Sequence, residues 1–156
     1  MHFVVDDLTH PAVLALVEHH LREAHRNSPP GAVFALDLSG LRDSALTLWT
    51  AWDGDALLGM GALKMLGEAR AEIKSMRTAP HAQRRGIGRA MLAHLIAEAR
   101  ARAVRELLLE TGANDAFAAA RALYEGAGFR PSPAFGDYTL TDFNRCYATM
   151  LAPAIR

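Results

Sequence analysis

The segment Met76-Arg77-Thr78-Ala79-Pro80-His81-Ala82-Gln83-Arg84-Arg85-Gly86-Ile87-Gly88-Arg89-Ala90 constrains this chain more than any other. Its first residues favour an extended strand, Pro80 ends that strand, and Gly86-Ile87-Gly88 makes a turn before a strongly periodic helix. A helix start leaves several backbone N–H groups without carbonyl partners, and the helix dipole puts partial positive charge at the same end. Arg84, Arg85 and Arg89 add full charges beside it. Together these features predict a cradle for a phosphate-like anion. The plain alternative is a turn that only joins strand to helix.

Residue identity disfavours two common uses of such a cradle. A dinucleotide fingerprint needs a third glycine where this chain has Met91, which is too bulky for close helix–strand packing. An ATP-type phosphate loop needs a lysine followed by a hydroxyl residue, and Gly88-Arg89-Ala90 has neither. The 17 basic and 17 acidic residues cancel, so no general field draws the chain to nucleic acid or an anionic membrane. An anion site must therefore be local.

The 156 residues, 51% of them hydrophobic and 22% charged, suit one globular domain over 1–156 with a sizeable core. Cys146 is the single cysteine, which rules out an intrachain disulfide and a multi-cysteine metal site and suggests a reducing compartment. The N-terminus lacks a basic region followed by a long apolar run, and no apolar run reaches membrane-spanning length. A cytoplasmic location is the expectation.

Along the chain, residues 2–5 read as a short strand. Thr9 is placed to cap a helix with Pro11 in its first turn, and Val13, Val17, Leu21 and Ala24 share one face up to about Asn27. Ser28-Pro29-Pro30-Gly31 opens an irregular stretch to about Ser44, with a short helix over 37–41. Residues 45–52, 56–65 and 69–78 read as an antiparallel meander with turns at Asp53-Gly54-Asp55 and Leu66-Gly67-Glu68. After the glycine turn, Met91, Leu92, Leu95, Ile96 and Ala99 form the apolar stripe of a helix. Residues 106–110 form a buried strand, and the strand–helix–strand order implies that it pairs in parallel with 69–78. Asn114 or Asp115 caps a further helix that ends at Gly126-Ala127-Gly128, with Phe129 as its C-terminal hydrophobic contact. A final strand lies around 145–151.

Gln83-Arg84-Arg85-Gly86-Ile87-Gly88 is similar to the Gln/Arg-x-x-Gly-x-Gly/Ala signature of the GNAT superfamily of N-acetyltransferases. Thr78-x-Pro80 resembles that family's strand-end Val-x-Pro, and Tyr124-Glu125-Gly126-Ala127-Gly128-Phe129 its Tyr-x-x-x-Gly-Phe. The order of elements fits over nearly the whole chain. The runs Glu72–Thr78 and Leu109–Gly112 look nearest to a YsnE-like bacterial subgroup.

The resemblance implies a mixed α/β fold with a mostly antiparallel central sheet and a splayed strand pair. It implies transfer of acetyl from acetyl-CoA directly to an amine, with no metal. The N–H groups of the signature turn (Gln83, Arg84, Arg85, Gly86, Ile87, Gly88, Arg89) would hold the pyrophosphate, and the backbone of Met76 and Thr78 would pair with the pantetheine arm. Tyr124 matches the family's general acid, although Phe117, Ala120 and Tyr124 also share a face that would suit a core. Phe117 stands where the family often has Asn. Glu72 has the offset of a general base in one branch of the family. Its alternative is a solvated residue paired with Lys74 or Arg70, and Glu110 is a second candidate. The acceptor is a small-molecule or peptide amine, with residues 27–44 and 135–138 as the expected walls of its pocket. A homodimer is the assembly the family suggests. A CoA-binding sensor without turnover and a general nucleotide-binding domain are the rival readings. His19, His20 and His25 lack metal-binding spacing and read as solvated or capping residues.

Overall fold

The computed structural model describes residues 1–153. Its elements in chain order are β1 (His2–Val5), α1 (Pro11–Arg26), α2 (Leu38–Leu41), β2 (Leu46–Asp53), β3 (Ala56–Gly67) and β4 (Arg70–Thr78). These are followed by α3 (Ile87–Ala101), β5 (Glu106–Gly112), α4 (Ala118–Gly126), β6 (Arg130–Pro131) and β7 (Asn144–Met150). One sheet has the order β1-β2-β3-β4-β5-β7-β6. Every pair in it is antiparallel except β4–β5. That parallel pair is the one bridged by α3, as a strand–helix–strand crossover requires.

Local chemistry accounts for most boundaries. α1 begins with Pro11 at its first position, but its cap is His10 rather than Thr9. The His10 Nδ1 accepts from the Ala12 N–H at 3.0 Å, while the Thr9 hydroxyl donates to Asp7. Asn27 ends the helix. Asp37 caps the four-residue α2 by accepting from the Gly40 N–H at 2.9 Å. The β3–β4 turn falls on Glu68 and Ala69, both at positive φ, one residue beyond the Leu66-Gly67-Glu68 expected from sequence. Asn114 caps only a 3₁₀ turn (Asp115–Phe117) that leads into α4. Two bonds close α4: Gly128 N–H to the Glu125 carbonyl and Phe129 N–H to the Tyr124 carbonyl, both 3.1 Å. That pattern is a Schellman motif.

The sheet's two faces have different covers. A Cβ built on Gly59 or Gly61 of β3 would meet Ile87, Met91 and Leu95, so these positions look into α3. Side chains alternate along a strand, so Met60 and Ala62 look the other way, toward α1. Val13, Val17, Met60, Leu63, Met91, Leu95, Leu107 and Phe129 are almost wholly buried. Trp49 and Trp52 are core residues in β2.

Phe129 has no exposed surface, and its ring meets Tyr124 edge-on at 6.0 Å between centroids. It thereby seats the end of α4 against the sheet. Phe129→Ala should lower unfolding free energy by about 3–5 kcal/mol, read from the midpoint of a urea titration.

Candidate active site

The site begins where two strands part. β4 and β5 pair from Arg70–Glu106 to Ile73–Leu109, and there the pairing stops. β5 runs on beside β7 as far as Gly112, and β4 runs on beside β3 as far as Thr78. The divergence coincides with a bulge in β4. Lys74 lies opposite Ala62 and Arg77 opposite Met60, so Ser75 and Met76 share the place facing Gly61. Ser75 has φ 56, an uncommon conformation for a residue with a side chain, and its buried hydroxyl has no hydrogen-bond partner among the described residues. Bulges bend and twist a strand, and this one turns the end of β4 away from β5. The gap widens into a cleft of about 480 Å³.

One end of the cleft is the glycine turn. Arg84 and Gly86 both take positive φ, 63 and 79, and they swing the chain into α3. The first main-chain bond of that helix runs from Ala90 N–H to the Gly86 carbonyl, and no side chain caps it. The N–H groups of Ile87, Gly88 and Arg89 therefore lack intrahelical partners. A Cβ on Gly88 would meet only Leu123 at 3.5 Å and Thr78 Oγ1 at 3.8 Å, so the fold itself leaves room there.

Of the residues singled out in sequence, Met76, Thr78, Gln83, Arg84, Ile87, Gly88, Tyr124 and Glu72 line the cleft. Arg85, Gly86 and Arg89 sit exposed on the turn outside that lining, and the Ile87 side chain is buried in the core, leaving its N–H for a ligand.

Tyr124 projects from α4 into the middle of the cleft and is 8% exposed. Burial pushes its phenol up to about 12, with the Arg77 charge pulling the other way. Phe117 also lines the cleft, its ring lying where a side chain on Gly112 would have to be. Asn114, besides capping its turn, donates from Nδ2 to the Asn27 carbonyl at 2.7 Å and so ties α1 to the far wall.

The other end holds charge. Glu72 is 5% exposed, not solvated. Its Oε2 lies 3.2 Å from Lys74 Nζ and accepts a hydrogen bond from the Tyr138 hydroxyl, which is itself 2.6 Å from Lys74 Nζ. Arg70, the other sequence candidate for pairing with Glu72, bonds Glu106 instead. Tyr138 comes from the loop before β7, so this knot fastens that loop to β4. Its phenol is pushed up by burial and by the Glu72 carboxylate. Glu110, on β5 across the gap, makes no ion pair among the described residues. Burial pushes its carboxyl up to about 7, against the pull of Asn144 and the Lys74 ammonium.

Residues with no place in the site on sequence grounds, Arg77, His20 and Phe143, complete the cleft. Arg77 donates from Nε to His20 Nδ1 at 2.9 Å, and both line the cavity. His20 is thus a packed acceptor rather than a solvated or capping residue. Phe34, Tyr138 and Phe143 supply an aromatic wall, with Phe34 and Tyr138 edge-on at 5.1 Å. The alternation of β4 hinted at Arg77 only with the bulge known, because the extra residue brings it to the same face as Glu72 and Lys74.

This arrangement has relatives. Residues 13–129 match the acetyltransferase (GNAT) family. The chain is 46% identical over 138 residues to YsnE of Bacillus subtilis (strain 168), an uncharacterized N-acetyltransferase, covering 88% of this chain and 91% of that protein. It is 44% identical over 140 residues to YedL of Escherichia coli (strain K12), likewise an uncharacterized N-acetyltransferase, covering 90% and 88%. Its fold is similar to that of a Bacillus subtilis acetyltransferase solved in complex with CoA, with a TM-score of 0.67 over 97% of this chain and 99% of the other, at 17% identity. A bulged, splayed strand pair ending on a glycine turn, in a chain with these relatives, places the protein in the acetyltransferase (GNAT) family.

Proposed function

We propose that the cleft binds acetyl-CoA and passes its acetyl group directly to an amine, with Tyr124 as general acid and Glu110 as general base. The observation that carries this reading is the parting of β4 from β5 between the free N–H groups of α3 and the buried Tyr124. The unpaired edge of β4 over 74–78 offers main-chain groups to an extended, amide-bearing arm such as pantetheine, as another strand would. The N–H groups of Ile87, Gly88 and Arg89, with Arg84 and Arg85 beside them, suit the pyrophosphate.

The chemistry follows from the ionisable groups. An acceptor ammonium gives a proton to Glu110, and the freed amine attacks the thioester carbonyl carbon. Donors on the open edge of β4 steady the oxyanion that forms. The carbon–sulfur bond then breaks, the departing thiolate takes the proton of Tyr124, and the second proton lost by the attacking nitrogen passes through solvent to restore the phenol. The products are the N-acetyl amine, CoA thiol and the proton that Glu110 releases. Glu110 is preferred to Glu72 because the Glu72 carboxylate is occupied by Lys74 and Tyr138. Cys146, the β7 partner of Glu110, is buried with Leu108 and Phe135, and burial followed by the Glu110 charge pushes its thiol up, which argues against a nucleophilic thiolate and supports direct transfer.

Three measurements test the reading. Gly88→Val should raise the acetyl-CoA dissociation constant by about tenfold or more, about 1.4 kcal/mol, and leave the denaturation midpoint near that of the parent. An unchanged constant removes the pyrophosphate site. Tyr124→Phe should lower kcat by about 10²–10⁴-fold with acetyl-CoA binding intact. Equal rates, or a parent that binds acetyl-CoA and transfers nothing to any amine, would point to a sensor. Glu110 sets the acid limb of the pH profile. Its folded-state pKa is raised, so it is protonated and idle below pH of about 7, and kcat/KM should climb through that value to a plateau. Glu110→Gln should erase the inflection, and its persistence would reassign the base.

A further inference from the structure

Two cations line the cleft without an ion pair among the described residues: Arg84, exposed on the glycine turn, and Arg77. Lys74 is engaged by Glu72 and Tyr138. Arg77 is half-buried, yet no carboxylate among the described residues lies within ion-pair distance of it. Its one side-chain hydrogen bond is the 2.9 Å contact from Nε to His20 Nδ1. A guanidinium carries five N–H donors in a planar fork, so the four on its two Nη atoms have no acceptor among the described residues. Burial lowers the pKa of Arg77, and the Glu23 carboxylate, beyond contact distance, opposes that only through space; a half-buried charge with no anion in contact is costly.

His20 makes the arrangement look built. Burial first, then the Arg77 charge, drives its pKa down to about 4, so near neutral pH it is an uncharged imidazole with a single acceptor nitrogen. That nitrogen is spent on Arg77 Nε. A planar fork held by its Nε turns its two Nη groups toward a planar, two-oxygen anion, which is the geometry in which Arg binds carboxylates.

Position separates this cation from the phosphate end. Arg77 lies opposite Met60, on the sheet face toward α1, whereas its neighbour Thr78 looks toward α3, with its Oγ1 near Gly88. On its own face Arg77 shares β4 with Glu72 and Lys74 and faces the cavity lined by Phe34 and Tyr138. Glu110 stands across the gap.

We propose that Arg77, oriented by His20, binds a carboxylate of the acceptor, so that the acceptor is a small amino acid: a primary amine and a carboxylate on one molecule. This rests on the acetyl-transfer reading above. Glu110 takes the ammonium, Arg77 takes the carboxylate, and the aromatic wall of Phe34, Tyr138 and Phe143 receives the side chain.

The test uses the full chain, acetyl-CoA, and amines paired with and without the carboxylate: phenylalanine against phenethylamine, alanine against ethylamine. For the parent protein, kcat/KM should be about tenfold or more higher for the acid-bearing member of each pair. Arg77→Gln should abolish that preference, and Arg77→Lys, which keeps the charge and loses the fork, should retain part of it. Calorimetry of N-acetylphenylalanine against N-acetylphenethylamine, in the presence of CoA, reads the same preference without turnover. A parent that favours the amine lacking a carboxylate overturns the proposal. So does an Arg77→Gln variant whose kcat falls equally for both members, which would make Arg77 an aid to Tyr124, or one whose acetyl-CoA affinity falls, which would make it a phosphate ligand. If no amine is acetylated but N-acetylphenylalanine still binds through Arg77, the transferase reading falls and the carboxylate pocket stands. If neither transfer nor binding occurs, the pocket falls as well.

Discussion

Once Ser75 adopts a positive φ and β4 takes an extra residue against Gly61, the strand can no longer follow β5, and the rest of the site depends on that parting. A central strand normally satisfies its main-chain groups on both sides. Here the second half of β4 keeps β3 and gives up β5, so a row of donors and acceptors opens inside the domain. Such an edge is a liability unless something pairs with it. The helix start at Gly86 has the same character, because its first N–H groups are also left without carbonyls. Edge and helix start lie in sequence order along one segment, and an extended ligand with an anionic end meets both. The cleft is thus a set of main-chain vacancies in line, set by backbone geometry more than by the side chains of Met76, Thr78 and Gln83.

The carboxylates divide by partner. Glu72 is locked with Lys74 and Tyr138, and through Tyr138 it anchors the loop that follows β6. Removing either ion would leave the other buried and unpaired, which typically costs several kcal/mol. Glu72 therefore reads as a fastening between sheet and loop. Glu110 has burial without an ion partner, and that combination raises a carboxyl's pKa toward neutrality, where a general base is most useful. Two carboxylates that face one cavity thus differ in environment: Lys74 contacts Glu72 at 3.2 Å and acts on Glu110 only through space.

Much of this was legible in the sequence for local reasons. α3, the meander, the parallel β4–β5 pair and the glycine turn are all marked by periodicity, glycine, proline or crossover topology, each readable within a few residues. What escaped depends on other signals. The cap of α1 is a histidine acting through Nδ1, outside the usual Ser, Thr, Asp and Asn set, so Thr9 looked the better cap. The bulge sits at Ser75 with no glycine to announce it. Tyr138 to Glu72 and Arg77 to His20 join residues 66 and 57 positions apart, which neither spacing nor propensity can reveal. Glu72 and Glu110 were both visible as candidates. Preferring one as the proposed base rests on the three-dimensional position of Lys74, which sequence does not give.

The bulge also decides what the acceptor end looks like. Without the extra residue, simple alternation from Lys74 would put Met76 beside it and turn Arg77 toward α3. With it, Arg77 joins Glu72 and Lys74 on the α1 face, where His20 can hold its Nε. The same backbone irregularity that opens the gap between β4 and β5 thus delivers a guanidinium to the cavity that Glu110 also lines. One group seeks an anion and the other a cationic amine. A ligand carrying both, spaced to reach across the gap, would give each of these groups a partner that the described residues do not put in ion-pair contact with it. On electrostatic grounds a molecule with an ammonium at one end and a carboxylate at the other is the complement of this pair.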